Sequence, residues 1–132
     1  MVERELSQVL DASVVLAYLQ REPGYERARD ALRAGSTVSS VNLAEVYAKL
    51  VERDVPVEPV AVRLAALGLQ SRPFTEEDAR SSADLHAKTR SYGLSLGDRA
   101  CLALGQRLGV PVLTADLAWT RVDVGVRVTA IR

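Results

Sequence analysis

The chain has 132 residues, a length that fits one domain spanning 1–132 and can bury a core without disulfides or structural metal. With 48% apolar and 26% charged residues it has the make-up of a soluble globular protein, and its longest apolar run, Val14 to Leu19, is 6 residues where a membrane span needs about 20. Seventeen basic residues balance seventeen acidic ones, which excludes a protein that holds nucleic acid by bulk positive charge alone but not an enzyme whose cations are partly metal ions.

Met1-Val2-Glu3-Arg4-Glu5 carries mixed charge with no apolar stretch behind it, so no signal peptide is expected. Leu6 to Leu10 reads as a short apolar segment ending at Asp11, and Ala12 to Gln20 as a helix. After the break Glu22-Pro23-Gly24, a second helix runs from Tyr25 to Ala34 and stops at Gly35. Ser36 to Ser40 reads as a strand. From Asn42 the apolar residues Leu43, Val46, Tyr47, Leu50 and Val51 form the single stripe of a half-buried helix. A turn over Asp54 to Pro59 leads into a helix ending near Leu67, and Gln70 to Thr75 is a further strand candidate. Thr75-Glu76-Glu77-Asp78 opens a helix to about Arg90, and Gly93 ends that region. Ser95 begins a helix to Leu108, with Gly109 in the position after the helix that glycine favours. Val110 to Thr114 is a strand, Leu117 to Thr120 a short helical turn, and Val124 to Ile131 alternates like an edge strand. Strands alternate with helices and no tight hairpin joins them, so the expected fold is α/β: a mainly parallel sheet with helices on both faces, in three α/β/α layers.

Ligands of such folds sit beyond the carboxyl ends of the strands. Four acids fall there: Asp11 after the first strand, Glu45 after the second, Asp98 in the first turn after Ser95, and Asp116 just past Val112-Leu113-Thr114. Each also has a structural explanation. Asp11 and Asp116 fit N-caps, while Asn42-x-x-Glu45 and Ser95-x-x-Asp98 fit a cap with an acid three residues on. Gathered in one pocket, four carboxylates repel by roughly 3 kcal/mol per pair at 5 Å and an effective dielectric near 20. Protons or divalent cations must relieve that repulsion, and oxygen-only ligation points to Mg²⁺ or Mn²⁺ rather than zinc.

The segments Asp11-Ala12-Ser13-Val14-Val15, Ser40-Val41-Asn42-Leu43-Ala44-Glu45-Val46, Gly93-Leu94-Ser95-Leu96-Gly97-Asp98-Arg99-Ala100 and Val112-Leu113-Thr114-Ala115-Asp116 resemble, in order and over the whole chain, the motifs of PIN-domain ribonucleases, and most of all the VapC-like toxins of type II toxin–antitoxin pairs. The resemblance implies a three-layer PIN-like domain and a Mg²⁺- or Mn²⁺-dependent endoribonuclease that leaves a 3′-hydroxyl and a 5′-phosphate. It implies Asp11 and Asp98 as direct metal ligands, with Glu45 and Asp116 acting through water or a second ion. It further implies a small VapB-like antitoxin as partner and a homodimer. Gly105 departs from the alanine frequent at its position in that family, and looser packing is expected there.

Ser13, Asn42, Ser95 and Thr114 are candidates to orient carboxylates or water, with capping and turn formation as the equal alternative. Arg99 and Arg121 are candidate phosphate contacts, and Trp119 a candidate for base stacking or for the edge of the core. His86 is read as a surface or packing residue, and Cys101 as a core residue that suits a reducing cytoplasm. The region from Val55 to Leu69 is a candidate groove for an antitoxin segment, with core packing as the other explanation. Two other functions compete: a non-catalytic PIN-like binding module, and a phosphotransferase with an aspartyl nucleophile. The second expects an acid two residues after Asp11, where Ser13 stands.

Overall fold

Alternating β-branched segments and amphipathic helices assemble into a five-stranded, all-parallel sheet. The computed structural model describes residues 8–132; Met1 to Glu5 and the start of the expected Leu6–Leu10 segment lie outside them. The elements are β1 (Val9–Leu10), α1 (Ala12–Gln20), α2 (Tyr25–Arg33), β2 (Ser36–Ser39), α3 (Ser40–Glu52), α4 (Val57–Leu67), β3 (Leu69–Arg72), α5 (Glu76–Lys88), α6 (Leu96–Leu108), β4 (Val112–Thr114) and β5 (Val128–Ala130). Single 3₁₀ turns occupy Arg90–Tyr92 and Leu117–Trp119.

The strand order is β3-β2-β1-β4-β5. The chain therefore moves outward from β1 to β2 and β3, then returns to lay β4 against the other side of β1. That reversal opens a crevice between the carboxyl ends of β1 and β4, where open parallel sheets bind their ligands.

Successive strand residues point to opposite faces, and the core divides accordingly. Leu10, Val38 and Leu113 pack with Val14 and Val15 of α1, Leu32 of α2, Val46 of α3 and Leu64 of α4. Val9 and Val112 pack on the other face with Leu85 of α5, Cys101, Leu102 and Leu104 of α6, and Trp119. These are the three layers expected from the alternation of elements.

Local differences from the sequence reading have physical causes. The third helix begins at Ser40, two residues before Asn42, because Ser39 supplies the N-cap and its hydroxyl accepts from Val41 N at 3.2 Å. The strand expected over Gln70–Thr75 is Leu69–Arg72, since Thr75 is taken as the N-cap of α5. Only Val128–Ala130 of the expected Val124–Ile131 edge strand pairs with β4, and Val110 lies before β4 rather than in it. Gly105 does not loosen the packing. A Cβ there would stand 2.7 Å from Val112 Cγ2 and 3.2 Å from Val110 O, so the missing side chain lets α6 lie close against β4.

Candidate active site

The crevice at the β1/β4 reversal is a cleft of about 260 Å³ lined by Asp11, Ser13, Asn42, Glu45, Asp98, Asp116 and Trp119, together with Ala12, Leu16 and Lys49. All four acids singled out in the sequence thus face one space, although they come from the N-cap of α1, the second turn of α3 (not its first, as the sequence suggested), the first turn of α6 and the cap of the 3₁₀ turn after β4. Their depth differs. Asp11 is 4% exposed, Asp98 is half-buried, and Glu45 and Asp116 are exposed at the rim.

Asp11 is held most firmly. As N-cap of α1 it accepts from Val14 N at 3.1 Å through Oδ1, which also accepts from the Ser13 hydroxyl. Its Oδ2 accepts from Thr114 Oγ1 at 2.6 Å. The two hydroxyls are themselves fixed by backbone donors, Ser13 Oγ by Ala115 N at 2.8 Å and Thr114 Oγ1 by Asp116 N at 3.0 Å. Burial pushes the Asp11 carboxyl up from 3.8 to about 6, against the lowering effect of the hydrogen bonds from Ser13, Thr114 and Val14, and the charge of Asp98 adds to the rise.

Asp98 sits at the third position of α6 in a reciprocal capping box. Its backbone N–H donates to Ser95 Oγ at 3.1 Å and its Oδ2 accepts from Ser95 N at 3.0 Å. Asp116 caps the following 3₁₀ turn by accepting from Ala118 N at 2.9 Å. For Asp11, Asp98 and Asp116 the capping explanation and the place in the cleft therefore hold together, because helix starts gather at this end of the sheet. Glu45 differs. Asn42 is not the cap of α3; it is buried, and its Nδ2 donates to Glu45 Oε1 at 3.1 Å and to Gly97 O at 3.0 Å, tying α3 to the start of α6.

Gly97 permits that approach: a Cβ there would lie 2.7 Å from Glu45 Cδ. The sequence reading missed this role and that of Lys49, which enters the cleft from α3. The spacing held the signal for the lysine, since residues four apart share a helix face and Lys49 follows Glu45 by four. Trp119 is 2% exposed and forms part of the cleft wall as well as the core. Arg99 does not line the cleft; its Nη1 donates to Ser82 O and Oγ, both at 3.2 Å. Arg121 borders a separate surface depression beyond the Leu117–Trp119 turn.

The cleft offers carboxylate, hydroxyl and amide oxygens and no imidazole or thiol among its lining residues, a donor set that suits a hard divalent cation. The buried Asn42 Oδ1 has no hydrogen-bond partner. Among the described residues no three acidic, His or Cys side chains stand close enough together to hold a metal ion between them. Cys101, directly beneath, is fully buried, its thiol pushed well up by burial and by the charges of Asp11, Asp98 and Glu45, which leaves it a core residue as expected.

The fold is similar to that of several solved structures. A DNA-bound VapBC from Salmonella typhimurium aligns with a TM-score of 0.76 at 17% identity, covering 97% of this chain and 100% of that one. A toxin–antitoxin complex from Klebsiella pneumoniae aligns with a TM-score of 0.68 at 20% identity over 96% and 98%. VapBC-5 of Mycobacterium tuberculosis aligns with a TM-score of 0.59 at 21% identity over 97% and 99%. Comparison with curated proteins gives no match. The family model described as PIN domain matches residues 9–125, nearly the whole chain with its four acids, and the chain accordingly belongs to the PIN domain family.

Proposed function

We propose that the protein is a Mg²⁺- or Mn²⁺-dependent endoribonuclease that hydrolyses RNA phosphodiester bonds as the toxin of a toxin–antitoxin pair. The observation that carries this reading is the convergence of Asp11, Glu45, Asp98 and Asp116 on one cleft at the reversal of strand order.

Asp11 and Asp98, the deeper pair, would hold the principal ion, and the rim acids Glu45 and Asp116 would support it or a second one. When bound, a divalent ion lowers the pKa of a water and offsets the charge that develops on the phosphate. The protein's share is orientation. Ser13 and Thr114 fix both oxygens of Asp11, Ser95 fixes Asp98, and Asn42 fixes Glu45. Carboxylates held in this way need little reorganisation during the reaction, which is where most of such a site's advantage lies. Asp11, raised to about 6, is an anion at neutral pH that gains from a neighbouring cation.

The antitoxin partner is supported by the similar structures, which include a VapBC complex and a toxin–antitoxin complex. Exposed Val51, Val55 and Val62, on α3, the α3–α4 turn and α4, offer apolar surface for such a segment or for a second copy in a homodimer. Among the described residues no helix is long and apolar enough to cross a membrane.

The test is cleavage of structured RNA with Mg²⁺, with and without chelator, by the wild type, Asp11→Asn and Asp98→Asn. Chelator and both substitutions should abolish cutting. Cleavage that survives both substitutions would overturn the assigned site. RNA left intact while small phosphoesters release phosphate would favour the phosphotransferase alternative, and RNA bound but never cut would favour a binding module.

A further inference from the structure

A cleft walled by four carboxylates repels the polyanion it is proposed to cut, so a cation on the wall must meet the phosphates beside the scissile bond. Among the residues lining the cleft, Lys49 is the one that carries positive charge. The arginines that the sequence offered for this task lie elsewhere. Arg99 is engaged by Ser82, and Arg121 borders a different depression with Leu117, Ala118 and Thr120. Lys49 stands on α3 one turn after Glu45, so the two side chains leave the same helix face. Its side chain is 52% exposed, and its ion pair, 3.6 Å to Glu52 of the same helix, is a solvated contact of the kind that contributes little. The ammonium is therefore available for a phosphate while its stem rests along the cleft wall.

We infer that Lys49 is a phosphate-binding residue of this site: it grips a backbone phosphate next to the one being attacked and sets the register of the RNA strand over the four carboxylates. The inference rests on the nuclease reading and deepens it. A lysine suits this position because its compact charge on a flexible stem follows a phosphate without imposing the planar fork of arginine. The role is one of positioning, since the geometry puts no proton or bond of the reaction on Lys49.

The test uses fluorescence anisotropy with a labelled single-stranded RNA, measured on Asp98→Asn protein at several salt concentrations, with and without Lys49→Gln, Lys49→Arg or Glu52→Gln. Steady-state cleavage is then measured with the same Lys49 and Glu52 substitutions in otherwise wild-type protein. Loss of one charge-assisted contact should weaken RNA binding by about tenfold. It should also reduce the slope of log K against log salt by about 0.7. In cleavage KM should rise while kcat stays within about twofold. Lys49→Arg should restore most of the binding, and Glu52→Gln should leave it unchanged. If the wild type cleaves RNA but Lys49→Gln keeps the full salt slope, or Glu52→Gln reproduces its effect, the phosphate role is overturned and the nuclease reading stands. If the wild type neither binds nor cuts RNA, both fall.

Discussion

Thr114 Oγ1 donates a 2.6 Å hydrogen bond to Asp11 Oδ2, joining the end of β4 to the residue after β1 across 103 positions of chain. The same hydroxyl accepts from the Asp116 backbone N–H at 3.0 Å, so one side chain ties the Asp11 carboxylate to the backbone of Asp116. Thr114→Val keeps the shape and removes both bonds. A hydrogen bond to a buried charged group contributes about 1.5–3 kcal/mol, and urea denaturation near neutral pH should show a loss of that size. With one donor gone, the Asp11 carboxyl should rise further above about 6. Cleavage by the variant should therefore fall most on the acidic side of its pH profile and recover partly as pH rises.

Asp11 makes the folded protein pay for ionisation. Its carboxyl is raised from 3.8 to about 6, so between those values the folded state binds more protons than the unfolded chain, and stability falls as pH rises through that window. The total loss is about 3 kcal/mol. Asparagine is an equally good N-cap and carries no charge. Asp11→Asn should consequently be more stable than the wild type near neutral pH by up to that amount, with the gap closing at and below the unfolded value, while cleavage is abolished. Denaturation midpoints across the pH range check it; a variant less stable at neutral pH would contradict the assignment of burial as the dominant cause.

Divalent cations should reverse that penalty. Binding to the folded state alone adds RT ln(1 + [L]/Kd), about 2.7 kcal/mol at a hundredfold excess over Kd. Thermal unfolding of the wild type should shift upward with Mg²⁺ or Mn²⁺ and return with chelator. Asp11→Asn and Asp98→Asn should show little or no shift.

Gly97 separates activity from stability. Alanine there would press on the Glu45 carboxylate, the exposed end of a flexible side chain, so the carboxylate moves aside and the helix itself gains propensity. Stability of Gly97→Ala should stay within about 1 kcal/mol of the wild type. Its cleavage rate should fall, because Glu45 leaves the position that Asn42 holds.

Arg107 and Asp78 form the firmest ion pair of the α5–α6 layer. The guanidinium donates from Nε to Oδ1 at 2.9 Å and from Nη2 to Oδ2 at 3.0 Å, while Asp78 also accepts from Thr75 N. Burial raises the Asp78 carboxyl, but the hydrogen bonds and charge of Arg107, with those from Thr75, more than offset it and leave it lowered. A lowered carboxyl stabilises the fold above its unfolded value and loses that contribution as pH falls through the folded one. Arg107→Met should cost about 1.5–3 kcal/mol at neutral pH. The difference should shrink in acid, and cleavage per folded molecule should be unchanged.

Much of this was legible in the residues themselves. Helix boundaries marked by strong local chemistry, such as Ala12 to Gln20 after Asp11 or the helix closed by Gly109, follow from caps and periodicity that act within a few residues. The parallel order followed from strands separated by helices, and the four acids from their places at strand ends. Where several local signals compete, the sequence misleads. Ser39 and Asn42 are both competent caps, and only packing against α6 decides that Ser39 caps α3 while Asn42 reaches across to Gly97.

Amino-acid order alone determined which residues carry charge, where helices can start, and that the acids would lie at one end of a parallel sheet, because these depend on chemistry between near neighbours. Tertiary structure decided how deep each acid sits, which hydroxyl holds which oxygen, that Arg99 turns away while Lys49 enters the cleft, and that Gly97 and Gly105 are sites of close contact. Burial and approach between distant elements are properties of the assembled layers; a local pattern such as the four-residue step from Glu45 to Lys49 puts two residues on one helix face, but only the packed layers make that face a cleft wall.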